Sequence, residues 1–300
     1  MSKKVGLIIA SVLVALGTAV YGGALVMANG DVTKIGFSDF QTKEYEISKE
    51  FSGISVSSMS ADIRFQLSED GKTRVVCFEK ESVSHSVSVK EGVLTIQATD
   101  EREWYEHIWN FGNEMLTVYL PEISYGALTI EADTSDVQIR APFRFESVNI
   151  SLLTGDIDLE RVNTGSMELS VSTGDISLEE ITCTGDITVG VSTGETEMER
   201  VTCKNLSSKG GTGDIELSGV IVSEKMTVER STGDITFENS DAAELSIRTR
   251  TGDVEGTLLT GKNFQVKTGT GRVRVPEGQT GGLCEIRTGT GDIRITVRGN

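Results

Sequence analysis

From residue 128 onward, apolar and polar side chains alternate in short runs, and the runs recur. Aligned on the triplet Thr-Gly-Asp, the third position falls at Asp136, Asp156, Asp175, Glu195, Asp214, Asp234, Asp253, Arg272 and Asp292, in steps of 19 or 20 residues. The following position is apolar, broken only by Thr196: Val137, Ile157, Ile176, Ile215, Ile235, Val254, Val273 and Ile293. Two residues further on runs a second column, Ile139, Leu159, Leu178, Met198, Leu217, Phe237, Gly256, Val275 and Ile295. Alternation of this kind marks a strand with one buried face. A second alternating run starts roughly eleven residues after the acid, as in Met167-Leu169-Val171, Ile187-Val189-Val191, Leu245-Ile247 and Phe264-Val266. Each unit therefore holds two short strands. A unit of about 20 residues cannot enclose its own apolar side, whereas stacked units share one continuous core, with rungs about 4.8 Å apart. The pattern predicts an all-β fold, a parallel β-solenoid over residues 128–300. Thr-Gly-Asp is predicted at its corners, where Gly accepts positive φ and the Asp and Thr side chains bond nearby backbone N–H groups.

Residues 51–127 are less regular. Strands are predicted at 53–57, 62–67, 73–79, 84–89, 93–98 and 115–120, joined by polar turns, as an antiparallel region that caps the first coil. Arg294 and Arg298, on the last strand, are predicted to guard the opposite edge. Residues 29–50 read as a polar stalk. Before them, the run 5–27, opening at Val5 and closing at Met27, carries no charge and is long enough to cross a bilayer as a helix. Lys3 and Lys4 precede it, which places residues 1–4 in the cytoplasm, a transmembrane anchor at 5–28 and the bulk of the chain outside. Cleavage near Ala28, giving a secreted product, is the alternative.

Leu116-Thr-Val-Tyr-Leu-Pro121, Leu128-Thr-Ile130, Thr134-Ser-Asp-Val137 and the Thr-Gly-Asp-Ile series resemble the bacterial "putative adhesin" family, a domain of unknown function built of β-strand repeats. The resemblance covers about residues 50–300. It implies an envelope-associated repeat domain, commonly with an N-terminal hydrophobic anchor, and some members are tied to envelope stress sensing. It carries over no catalytic residue.

Composition narrows the chemistry. Against 28 Lys and Arg stand 45 Asp and Glu, a net charge of −17, with no basic run, so nucleic acid is not a partner by this reading. Two His leave too little imidazole for most zinc sites or His-based triads. No cofactor is expected. The corner acids Asp156, Asp175, Asp214 and Asp234 are calcium candidates only if neighbouring corners pool their oxygens; turn closure is the plainer role. Cys183 and Cys203 should stack on adjacent rungs, close enough for a bridge although in-register stacking seldom aims Cβ atoms correctly. Cys77 and Cys284 read as small core residues.

Two features suit a partner. The segment 100–114 carries Trp104, Tyr105, Trp109 and Phe111, with Trp104, His107, Ile108 and Phe111 on one helical face. It either packs over the cap or contacts a partner or membrane surface. From residue 245 onward there are nine Lys and Arg but five Asp and Glu, and Arg248, Lys267 and Arg287 should form an outward column facing anionic wall polymer or an acidic partner. The leading functional expectation is a non-enzymatic, membrane-anchored extracytoplasmic binding or scaffold module. The alternatives are the ectodomain of an envelope-stress sensor and a carbohydrate-active β-helix enzyme.

Overall fold

The computed structural model describes residues 40–80, 83–100 and 114–298. The expected anchor, the cytoplasmic tip and the aromatic residues Trp104, Tyr105, Trp109 and Phe111 lie outside the described residues.

All regular elements among the described residues are strands, and long and short ones alternate: Arg144–Thr154 then Ile157–Glu160, Asn163–Thr173 then Ile176–Glu179. Long strands pair in parallel with long, short with short. Ile157 faces Val137 on one side and Ile176 on the other, and Ile150 faces Leu169. Two parallel sheets thus oppose each other across one continuous apolar core, the predicted β-solenoid. The column Val137, Ile157, Ile176, Ile215, Ile235, Val254 is buried throughout, and each such side chain contributes on the order of 1.5–3 kcal/mol by leaving water.

Exceptions in the columns compensate one another. Phe237 is fully buried, and a Cβ on the facing Gly256 would lie 2.3 Å from its ring, so the small residue on one rung makes room for the large one on the next. Thr196, the polar break in the first column, accepts a 2.7 Å hydrogen bond from Nη2 of Arg230. That guanidinium lies inside the stack, over Gly210, and burial lowers its pKa to about 10.

The corners work by a device related to the expected one but different from it. Gly174, at φ 139°, would place a Cβ 2.1 Å from the carbonyl oxygen of Gly155, so both backbone angle and stacking require glycine. Its N–H donates to the carbonyl of Thr193 on the next rung. The Asp side chain does not close its own turn. Oδ1 of Asp156 accepts the backbone N–H of Asp175 at 2.8 Å, Asp175 accepts from Glu195, Asp214 from Asp234, and Asp234 from Asp253. Each carboxylate satisfies a corner N–H that would otherwise have no partner. The second corner of each coil holds Arg161, Glu180, Arg200 and Asn239 at φ of 48–60°, with Gly219 in the same role.

Both ends depart from chain order. Gly53–Ser58 lies between Val93–Asp100 and Ser124–Thr134, and Asp62–Leu67 between Met115–Leu120 and Val137–Arg140, all in parallel. Four of the six strands predicted to form an antiparallel cap are therefore rungs of the solenoid. Antiparallel pairing is confined to the outer margin, where Thr73–Lys80 adds to Met115–Leu120 and Val83–Lys90 to Val93–Asp100. The expected stalk is corrected too: Phe40–Ile47 is a strand paired antiparallel with Thr73–Lys80, its Tyr45 and Ile47 packed on the core.

At the other end Leu283–Thr290 inserts between the strand ending at Thr251 and Asn263–Thr270, and Ile293–Val297 between Val254–Leu258 and Val273–Arg274. The last unit in sequence is next to last in space. Arg294 therefore does not guard an edge; it pairs with Glu255 of the adjoining rung on the exposed face of an inner strand, and the backbone N–H of Arg298 donates to Leu258. The acid ladder follows the spatial order, from Asp253 to Asp292 across 39 residues and then back to the N–H of Arg272.

Candidate binding faces

Outward positions of the two sheets form two faces of different chemistry. On the short strands one in-register row reads Asp158, Ser177, Glu197, Glu216, Thr236, Glu255, and the row beside it Arg140, Glu160, Glu179, Glu199, Ser218, Glu238. Countercharges are few: Arg140 meets Asp158, Arg161 meets Glu160, Arg294 meets Glu255, and Arg200 sits among Glu179, Glu180 and Glu199. Glu197, Glu216 and Glu238 have no cationic partner among the described residues. This face is a strip of acid.

On the long strands the corresponding row runs Gln97, Ser57, Glu131, Ser151, Ser170, Gly190, Lys209, Glu229, Arg248, Arg287, Lys267. Its middle is small and neutral, it carries Glu131 and Glu229, and its last three positions are basic. The predicted column of Arg248, Lys267 and Arg287 is present, in the spatial order Arg248, Arg287, Lys267. Like charges one rung apart repel by about 0.9 kcal/mol in water. Glu285, two residues before Arg287 on its strand, relieves two of them, at 3.5 Å from Arg248 and 2.6 Å from Arg287. Lys267, on the outermost rung, has no side-chain partner among the described residues. The outer edge beside it also presents exposed Arg272 and Arg274.

The other candidates fall elsewhere. Asp156, Asp175, Asp214 and Asp234 share one exposed corner column, each with Oδ1 engaged by a backbone N–H. The one set of three metal-ligating groups found among the described residues does not include them. Asp292, at the end of the ladder, has its pKa lowered chiefly by the N–H of Arg272. Cys183 and Cys203 are free and buried, as are Cys77 and Cys284. Burial pushes the thiols of Cys203 and Cys284 up to about 12 and that of Cys183 upward, so none of these three is a thiolate near neutral pH. The acid strip was missed in the sequence although its signal was there: the polar positions between and after the two apolar columns, as in Ile157-Asp-Leu-Glu160, repeat from unit to unit.

The sequence matches the family described as Toastrack DUF4097 over residues 51–185 and again over 181–300. The chain belongs to the Toastrack DUF4097 family. Among solved structures, a "putative adhesin" from Bacteroides fragilis is 16% identical, with a TM-score of 0.51 over 86% of this chain and 97% of that one. A "putative lipid binding protein" from Parabacteroides distasonis is 14% identical, with a TM-score of 0.53 over 87% of this chain and 98% of that one. At these identities the likeness is one of fold. No curated protein matches the sequence. The adhesin-like resemblance in the sequence is thus that of a Toastrack DUF4097 chain.

Proposed function

We propose that the chain is a non-enzymatic, adhesin-like module of the cell envelope, anchored in the membrane through residues 5–27 with its N-terminus in the cytoplasm, and that its rod presents a basic tip to anionic envelope polymer. The single observation that carries the reading is the stacking of Arg248, Arg287 and Lys267 on the three rungs farthest from Phe40–Ile47. The acid strip on the other sheet makes side-on contact with an anionic polymer unfavourable, so charge favours engagement at the tip. The rod's mechanism is presentation: rigid rungs hold the cations at fixed spacing and away from the membrane.

Co-sedimentation of the full chain with isolated anionic wall material tests this. Binding is expected to weaken with salt, because the contacts are exposed charge pairs. It is expected to fall at least tenfold in the variant Arg248→Ala, Lys267→Ala, Arg287→Ala and to be unchanged in Glu197→Gln, Glu216→Gln. Binding that survives loss of all three cations would overturn the reading.

A further inference from the structure

Cys77, Glu79 and His85 form a buried cluster at the end of the rod opposite the basic tip. Each offers a ligand atom within 4.8 Å of the others. The geometry points to a transition-metal site here, fitted to zinc, that staples the two sheets together where the stack ends.

Cys77 and Glu79 project inward from Thr73–Lys80, and His85 from Val83–Lys90. These strands belong to opposite sheets: Val83–Lys90 is the margin of its own, and Thr73–Lys80 lies one strand in, between Phe40–Ile47 and Met115–Leu120. A rung in the middle of the stack is held by neighbours above and below. Here the apolar columns give way to three polar groups, all 3% exposed or less. A buried carboxylate is costly unless paired or bound to a metal. Some pairing exists: Glu79 Oε2 lies 2.7 Å from Nδ1 of His85 and accepts the backbone N–H of His85 at 2.9 Å, and Oε1 lies 2.7 Å from Lys43 Nζ. It leaves Nε2 of His85 buried without a partner, and the Cys77 sulfur without one among the described residues. One sulfur, one nitrogen and one oxygen donor make a set that zinc accepts at about 2.0–2.3 Å, with water in a fourth position. Ligands around such an ion stand roughly 3.3–3.8 Å apart, so Glu79 Oε2 and His85 Nδ1 would open from 2.7 Å and the longest separations, up to 4.8 Å, would close by about an ångström, which asks for no new fold. Lys43, half-exposed at the carboxylate, marks the route from solvent and would hold the second oxygen as an outer partner. Binding converts the Cys77 thiol to a thiolate and releases its proton to water, with no change of oxidation state. The site is independent of the basic tip, and either proposal stands if the other fails.

Cobalt(II) titration of the purified full chain tests it, because a thiolate ligand gives a sulfur-to-cobalt charge-transfer band. The decisive variant is Cys183→Ser, Cys203→Ser, Cys284→Ser, whose only thiol is Cys77. The expected result is a charge-transfer band saturating at one cobalt per chain in this variant and displaced by zinc, together with at least hundred-fold weaker binding in Cys77→Val and His85→Gln. Zinc should also raise the melting temperature of the parent chain and leave that of Cys77→Val unmoved. Absence of the band in the variant that keeps only Cys77, or its persistence in Cys77→Val, would overturn the proposal.

Discussion

The middle of the rod and its two ends solve the same packing problem differently. Between Ser124 and Leu258 each rung lies on the one before it in sequence, glycines fix the corners, and the carboxylate of one turn bonds the backbone of the next. At the ends an early or late unit inserts one place inward, and the boundary is finished with non-local devices: antiparallel strands and buried polar groups such as Asp241 with Lys262 at 2.6 Å. Repetition is enough to propagate a solenoid but not to stop it. Stopping requires contacts that the repeat does not encode, because a terminal rung leaves backbone donors and acceptors unpaired on one side.

Substitutions that act on one region and spare the other can break this contrast. The largest effect is expected at a mid-rod corner. Gly174→Ala should cost about 4 kcal/mol in denaturant unfolding, since it combines a glycine-only backbone angle with a collision against the rung below. Gly278→Ala, near the end, faces open space at φ 70° and should cost only about 1 kcal/mol. Equal costs would mean that rung contact is not what demands glycine. Next comes the end itself: Lys262→Met leaves Asp241 buried without its cation and should lose about 3 kcal/mol, much of it restored by a second change, Asp241→Asn.

Smaller changes test the ladder. Asp175→Ala should cost about 1 kcal/mol by freeing the N–H of Glu195. Among the described residues the step from Glu195 to Asp214 carries no side-chain bond, so Glu195→Asp should gain up to about 1 kcal/mol; a loss of stability would show that the ladder does not set register there. The smallest effect concerns pH. The N–H of Arg272 holds the Asp292 carboxyl below its ordinary value of 3.8. A carboxylate with a depressed folded pKa contributes stability that is present above the unfolded value and lost as pH falls through the folded one. Acid titration of the parent chain should therefore lose this contribution below about pH 4, and Asp292→Asn should flatten that part of the curve.

What was legible in the sequence follows the same division. Sequence neighbours in the middle are spatial neighbours, so Ile157, Ile176 and Ile215 announced their column, and Arg248, Arg287 and Lys267 their outward row. The ends were misread because Gly53–Ser58 and Leu283–Thr290 obey the strand pattern but take partners across long stretches of chain, and alternation says nothing about which partner a strand finds. The left-handed corners at Arg161, Glu180 and Arg200 were invisible, because stacking holds ordinary residues where Gly or Asn would have been a signal. The buried cluster of Cys77, Glu79 and His85 was hidden for a related reason. Cys77 looks like core in its own strand, and only the pairing of the sheets brings His85 to it.

Hydrogen exchange on the C-terminal rungs tests the central claim, that order in space departs from order in the chain only at the ends. The backbone amides of Asn263–Thr270 should exchange faster than those of Leu283–Thr290, which is enclosed on both sides. The reverse, with residues 283–297 exchanging fastest, would mean that the units stack in simple succession and would contradict the account.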